Sequence, residues 1–448
     1  MKTIFITISD GEVSKNILRS KIFSILQKES NVVLFVHRNK LNYFQKEFSF
    51  PNVHIEILPG PTYSRLENWF SKIFLFSLHS ESILVKINYS YYSGGTFFGR
   101  LGKLFLWSLG RFYIYRQLIR FLYNYIPDRS FFDYFKKHKP DLVFVTNLIS
   151  NEDSRLLKSA RLFGVKSVGM PKGWDNLTLK TFLSVSPDYL LVQTDLIKQD
   201  AVNFLDYPTD RIMVVGFPKF DTYTESPKKT REEFLLSMGL NPNKKTILYA
   251  GAGDQLAPHD EDILHMLLLA IERGDIVIPV QVLVRPHPKY IYHSELIKMS
   301  PFWILDRPGK VVGKEQSDFE FESKDIDHLV SSLAYCDLLI HTASTLGIEA
   351  SIFDKPSITI AFDGDKQIRP ELSVSRYYKY VHLERVVKTR GMKVAHNFNE
   401  FIKLINEYLQ QPDLDRACRK LIVKENAYII DGGASARVAN FLVKLLKQ

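Results

Sequence analysis

Residues 325–363 read DIDHLVSSLAYCDLLIHTASTLGIEASIFDKPSITIAFD, and their pattern decides the fold. A helical stretch runs into a short apolar strand, Asp337 to His341. A small-residue turn follows, then a second helix and a second apolar strand that ends at Asp363. This is the strand–helix–strand unit of a parallel sheet. The turn holds Thr342, Ala343, Ser344 and Thr345, whose hydroxyls and open backbone N–H groups are expected to hold a phosphate. Glu349 lies one turn into the helix, within reach of a ribose. Upstream, the apolar run Val280 to Val284 ends in Arg285-Pro286-His287-Pro288. Two strand ends offering a cation, a histidine and a helix N-terminus suggest a site for a nucleotide diphosphate.

Working outward, the same alternation fills both halves of the chain. Strands are predicted at Thr3–Ile8, Val32–His37, His54–Leu58, Leu142–Thr146, Ser167–Met170, Tyr189–Gln193 and Met213–Gly216. Residues 222–245 are polar, rich in Lys and Glu, and carry Pro227 and Pro242. The pattern then restarts at Thr246–Ala250 and continues through Val280–Val284, Trp303–Leu305, Leu338–His341 and Ser357–Ala361. At 448 residues the chain exceeds what one core serves. The expectation is therefore two doubly wound α/β domains, 1–225 and 226–448. The last helix, near Ser435 to Lys447, has an apolar stripe suited to packing back across the first domain.

The composition is that of a globular chain, 45% hydrophobic and 24% charged. Cys336 and Cys418 are its only cysteines, which suits a reducing cytoplasm and argues against a disulfide framework. The N-terminal KTIFITIS, followed by Asp10 and Glu12, reads as a first strand and not as a secretion signal. No apolar run is long enough to span a bilayer. The net charge of +10 is uneven. Residues 97–140 hold nine Lys or Arg against Asp128 and Asp133, with fourteen aromatic residues among them. Arg100, Lys103, Arg111, Arg116 and Arg120 fit a helix lying on an anionic membrane surface, with Trp107, Phe112 and Tyr113 at headgroup level. The competing reading is a pair of basic helices packed in the first domain, their Arg stems covering apolar surface. No nucleic-acid recognition motif is present.

Three other segments carry chemistry. Gly251-Ala252-Gly253-Asp254 ends the first strand of the second domain, where glycine lets a ligand approach the backbone; it equally suits any tight turn. In the Arg285–Pro288 loop the prolines fix the intervening histidine. Arg285 is placed to grip a phosphate and His287 to donate to a leaving diphosphate oxygen, against the alternative of a capped strand end. In Gly173-Trp174-Asp175-Asn176-Leu177-Thr178-Leu179-Lys180, a carboxylate beside an indole can act as general base, or Asp175 and Asn176 can simply turn the chain. Asp363-Gly364-Asp365 reads as a loop, and no histidine pair matches a metal site. There is no GxGxxG, GxSxG or P-loop lysine, which argues against nicotinamide, hydrolase and P-loop chemistry.

The order WDNLTLK, VVGFPKFD, RPHP, DLLIHTASTLGIEASIFDKPSITIAFD and DGGASARV, across roughly residues 165–440, resembles the CDP-glycerol glycerophosphotransferase-like branch of the GT-B glycosyltransferases. The resemblance implies two Rossmann-like domains facing across a cleft. Trp174 and Lys180 match an acceptor-side motif, with Asn176 beside them. His287 and Pro288 match a donor loop, and Ser344 and Thr345 a donor turn. Asp431, Gly432, Ser435 and Arg437 match a closing segment. Asp175 stands where that family has histidine, so the catalytic pair becomes Asp175 and His287. Gly251, Gly253, Arg285, Ser344, Thr345 and Glu349 become the donor set. HTAST in place of Thr-Asp-Tyr-Ser-Ser moves the expectation towards sugar transfer, without metal or cofactor, from a nucleotide-activated sugar. The acceptor is expected to be a surface polysaccharide or a lipid-linked molecule at the inner face of the plasma membrane. A glycerol- or ribitol-phosphate donor, a nucleotide-sugar 2-epimerase and a non-catalytic assembly partner remain open.

Overall fold

The computed structural model describes residues 1–60, 64–287, 301–313 and 318–448. Pro288 of the donor motif lies outside them. The chain divides into two compact units, Met1–Asp221 with Ile430–Gln448, and Thr222–Val311 with the described part of 315–429.

The first unit is built on a seven-stranded parallel sheet. Its strands are β1 (Thr3–Ile8), β2 (Asn31–Val36), β3 (Val53–Ile57), β4 (Leu142–Val145), β5 (Lys166–Gly169), β6 (Tyr189–Val192) and β7 (Ile212–Val214). They lie in the order β3-β2-β1-β4-β5-β6-β7, so the order reverses between β1 and β4. All seven predicted strands are present. They form as continuous apolar runs because helices cover both faces of a parallel sheet. The helical stretch after β1 is divided in two, Gly11–Leu18 and Lys21–Glu29. Ser20 breaks it by capping the second, its side chain accepting from Ile22 N.

The second unit has a six-stranded parallel sheet, ordered β10-β9-β8-β13-β14-β15. Its strands are β8 (Lys245–Ala250), β9 (Val280–Val284), β10 (Trp303–Leu305), β13 (Leu338–His341), β14 (Ser357–Ile360) and β15 (Lys393–Ala395). A small ribbon pairs β11 (Lys310–Val311) with β12 (Phe319–Glu320). Here the order reverses between β8 and β13. β15 escaped the sequence reading because three residues, one of them Lys393, carry too little pattern.

The last helix, Ala434–Leu446, belongs to the first unit, as its apolar stripe led one to expect, although the 225/226 boundary grouped it with the second. Val438, Leu442, Leu445 and Leu446 join the core formed by Ile17, Ile22 and Leu26. Each such side chain contributes about 1.5–3 kcal/mol when fully buried. The Asp221 carboxylate accepts from Ala434 N (2.9 Å) and Ser435 N (2.8 Å). Arg437 pairs with Asp431 (2.7 Å) and donates to Val215 O (2.8 Å). These contacts explain why VVGFPKFD and DGGASARV occur together: one receives and caps the other.

Residues 97–140 contain the helices Phe97–Leu109 and Tyr113–Asn124. Two of the cations expected at a lipid surface are buried. Arg116 pairs with Asp206 and donates to Gly110 O (2.5 Å). Arg120 donates to Leu205 O (2.7 Å) and Leu183 O (3.0 Å). Trp107 is half-buried, its ring 4.1 Å from that of His79 at a tilt of 38°, its Nε1 donating to Ser80 O (3.0 Å). A buried guanidinium needs acceptors on several sides, and the fold supplies them. The two helices expose large apolar side chains as well as Arg111: Phe98 is 82% and Ile114 80% exposed, and Phe97, Phe105, Tyr113 and Phe121 are exposed too. Among the described residues no helix is long and apolar enough to cross a membrane.

Candidate functional site

In open parallel sheets, ligands bind at the carboxyl ends of the strands where the order reverses. In the second unit that place lies between the ends of β8 and β13, and three of the predicted segments meet there. Gly251 follows β8, and its carbonyl accepts from His287 N (3.1 Å), which draws the loop after β9 onto the glycine turn. Gly253 has φ +82°, a left-handed conformation that strains any other residue. His287 is exposed. The turn after β13 is tied to the same place from below. Asp260 Oδ1 accepts from Thr342 Oγ1 (3.2 Å) and from Tyr249 Oη (3.2 Å). Burial pushes the Asp260 carboxyl up to about 7, against the hydrogen bonds it receives.

The 342–345 turn differs from the expected open helix end. Ala343 N donates to Tyr378 Oη (3.1 Å), Ser344 N to His341 Nδ1 (3.2 Å) and Leu346 N to Ser344 Oγ (3.2 Å). These backbone donors are already satisfied, so the half-buried Ser344 and Thr345 bring hydroxyls to the site and the helix N-terminus brings little. His341, invisible as a functional residue in the sequence, is the internal acceptor here. Burial pushes its pKa down to about 3, so the ring stays neutral and Nδ1 can accept. A side chain at Gly347 would meet His341 Nε2 and Met392 Sδ at 2.7 Å, which accounts for the glycine.

Two donor-set residues are framework. Arg285 is buried and its Nη1 donates to Asp306 Oδ2, while His328 Nε2 lies 3.0 Å from the same oxygen. Burial raises the Asp306 carboxyl, but His328 and Arg285 together hold it below the usual carboxylate range. The guanidinium therefore joins the ends of β9 and β10 and is not presented to a phosphate. Glu349 is likewise buried, accepting from Tyr223 Oη, and is not a surface partner for a ribose. In both cases the cost of an unpaired buried charge is met by a partner within the protein.

In the first unit the acceptor-side motif follows β5. Trp174 is buried, 4.2 Å from the Phe217 ring at 30°, with Lys219 Nζ 4.9 Å from its centroid. It packs WDNLTLK onto VVGFPKFD and offers no open platform to an acceptor. Asn176 is buried too, donating through Nδ2 to Asn147 O (3.0 Å). Asp175 is half-exposed and pairs with the exposed Lys180 at 3.1 Å. Its backbone carbonyl accepts from Leu179 N (2.9 Å), starting the wide helical turn Asn176–Lys180. Asp175 thus turns the chain with its backbone and keeps its carboxylate at the surface, beside a cation and not sealed under the indole.

An ionic cluster at the end of β1 went unread because its members span more than 200 residues. Lys172 Nζ lies 2.7 Å from Asp10 Oδ2, and Asp10 caps the helix Gly11–Leu18. Burial opposes ionisation of Glu12, yet Lys15, Lys219 and Lys172 lower its carboxyl to about 2. In the second unit, Asp363 accepts from Val374 N (3.1 Å) and Asp365 pairs with Lys366, so Asp363-Gly364-Asp365 is a loop. Among the described residues, no group of three or more His, Cys, Asp or Glu is placed to hold a metal ion.

Comparison with known proteins agrees with this architecture. Residues 180–444 match the family model described as CDP-Glycerol:Poly(glycerophosphate) glycerophosphotransferase. A teichoic acid poly(ribitol-phosphate) polymerase of Bacillus spizizenii (strain ATCC 23059 / NRRL B-14472 / W23) is 21% identical over 279 residues. That match spans 59% of this chain and 41% of the polymerase, so the chain spans well under half of that relative. Two solved structures share the fold. UDP-GlcNAc 2-epimerase from Neisseria meningitidis bound to UDP-GlcNAc has a TM-score of 0.55 at 14% identity, covering 99% of this chain and 100% of that one. The S. aureus MnaA-UDP co-structure has a TM-score of 0.55 at 14% identity, covering 100% and 98%. Both point to the GT-B arrangement of two Rossmann-like domains.

Proposed function

We propose, from the premise that the chain belongs to the CDP-Glycerol:Poly(glycerophosphate) glycerophosphotransferase family, that it transfers a group from a nucleotide-activated donor to a cell-surface polymer or lipid-linked acceptor. The observation that carries the reading is the meeting of Gly251, His287 and the 342–345 turn where the second sheet reverses its order. An exposed histidine held beside a glycine turn by its own backbone suits donation to a departing diphosphate. Gly251, Gly253, Ser344 and Thr345 line the donor's approach, and Arg285 and Glu349 hold that frame. Asp175, with Lys180 beside it, takes the proton from the attacking acceptor hydroxyl.

The transferred group is read as a sugar, on one departure from the family's motifs: HTAST in the donor turn. An alditol phosphate is the second reading, favoured by the family's description and by the poly(ribitol-phosphate) polymerase relative. Purified protein supplied with UDP- and CMP-sugars, CDP-glycerol and CDP-ribitol, each with and without acceptor, decides between them. Acceptor-dependent nucleotide release from a sugar donor supports the first. Release from CDP-alditols alone supports the second. Acceptor-independent conversion of the sugar nucleotide to an epimer would replace both.

The exposed apolar side chains of Phe97–Leu109 and Tyr113–Asn124 support membrane-surface association by insertion, with Phe98 and Ile114 most exposed. With Arg116 and Arg120 paired inside the fold, attraction to anionic headgroups is secondary.

A further inference from the structure

In the first unit a cavity of about 460 Å³ opens over the end of β4. That is within the roughly 300–1,000 Å³ range of small-molecule sites. It lies between the helix Arg65–Phe76, the loop leading into the helix Asn151–Leu162, and the stretch after Lys180. Its polar lining comes in pairs drawn from different elements. Ser154 Oγ lies 2.9 Å from Ser184 Oγ, and Ser71 Oγ donates to Asn151 Oδ1 at 3.2 Å. Phe74 and Tyr123 complete an aromatic wall.

Two further observations mark this cavity as more than a packing gap. Asn147, on its lining, is buried; its Nδ2 donates to Ser9 Oγ (3.2 Å) while Oδ1 has no hydrogen-bond partner. A buried acceptor without a donor is costly, so Asn147 sits at the cavity's edge against a polar penalty. The adjacent Leu148 has φ +64°, which is strained for a branched side chain. It is held there by Asp153, whose Oδ2 accepts from Asn147 N (3.1 Å) and Leu148 N (2.9 Å).

The charges select the ligand. Among the described residues Lys180 is the only cation on the lining, and it already pairs with Asp175 at 3.1 Å. Glu152 adds a negative charge to the same wall. We infer that this cavity binds a neutral saccharide unit of the acceptor. Lys180, shared between the cavity wall and Asp175, links the bound sugar to the proposed base. A phosphodiester chain would bring negative charge to a wall that already carries Glu152 and whose Lys180 is already paired. The inference rests on the transferase reading for its role, but its test does not.

Saturation-transfer NMR on the full chain without donor provides that test, using methyl glucoside, methyl N-acetylglucosaminide and sn-glycerol 3-phosphate as probes. A glycoside signal is expected, weakened about tenfold in affinity by Asn151→Ala, which loses hydrogen bonding at the wall. Ser184→Leu, which fills the space, should abolish it. If Ser184→Leu does not fold, Asn151→Ala alone carries the test. Glycosides that bind both variants as they bind wild type, or binding of glycerol 3-phosphate alone, overturn the inference. Thermal stabilisation by UDP or CDP is read in parallel. Nucleotide stabilisation with no glycoside binding overturns the cavity's role only, whereas glycoside binding with no nucleotide stabilisation upholds the cavity and overturns the transferase reading.

Discussion

Thr342 Oγ1 donates to Asp260 Oδ1 at 3.2 Å, so a single buried carboxyl ties the turn after β13 to the strand β8 through Tyr249. The bond spans the point where the second sheet reverses its order, which is where a donor is proposed to bind. Asp153 has a matching place in the first unit, holding the loop after β4 through two backbone N–H groups. Each sheet thus carries a buried aspartate beneath the turn that matters most.

The Asp260 carboxyl is pushed by burial to about 7 and that of Asp153 to about 6. Unfolded, both titrate near about 4. Between about pH 4 and their folded values the native state keeps protons that the unfolded state has released. Stability should therefore fall as pH rises through this window and level off above about 7. Asp260→Asn carries no titrating group and should flatten the upper part of the slope, between the two folded values. Thermal melts of both proteins across this range check it; parallel profiles would show that Asp260 does not titrate there.

His287→Ala should lower turnover by roughly 10²–10³. The side chain is exposed and the hydrogen bond to Gly251 is made by the backbone, so the melting temperature should stay within error. Nucleotide release by the variant at the wild-type rate would remove His287 from the chemistry.

Asp175→Asn should lower turnover by roughly 10²–10⁴ with donor affinity nearly unchanged. The backbone carbonyl that starts the turn is retained in the variant, so a structural role alone predicts near-normal activity. Steady-state transfer rates together with donor binding by calorimetry separate the two, and a fully active variant would place the base elsewhere.

Phe98→Asp combined with Ile114→Asp should weaken binding to lipid vesicles about tenfold for each side chain, as expected from about 1.5 kcal/mol of lost burial apiece. Added salt should have little effect on the wild type. Arg116→Gln, by contrast, should destabilise the fold by about 1–3 kcal/mol, because it leaves the half-buried Asp206 with the longer Arg120 contact at 3.5 Å in place of its main partner. Vesicle sedimentation and chemical denaturation measure the two effects. Binding that salt abolishes and the Asp pair leaves intact would restore the electrostatic reading.

Asp221→Ala should cost about 1–2 kcal/mol, since it removes the carboxylate that accepts from Ala434 and Ser435 at the start of the last helix. Proteolysis should then release the C-terminal segment sooner than in wild type.

By itself the sequence determined the two parallel sheets. A strand covered on both faces must be a short continuous apolar run, and such runs at 3–8, 142–145, 280–284 and 338–341 are legible without neighbours. The turns at Gly251 and Thr342–Thr345 were legible for the same local reason. Only the tertiary structure decided which polar side chains face outward. Arg116 meets Asp206 across 90 residues of chain, Arg285 meets Asp306 across 21, and Thr342 meets Asp260 across 82. Trp174 disappears beneath Phe217 in the same way. Periodicity reports how a residue relates to its own helix or strand. The partner that neutralises a buried charge comes from another element, and its approach is set by how the sheets stack their helices, which no local pattern encodes.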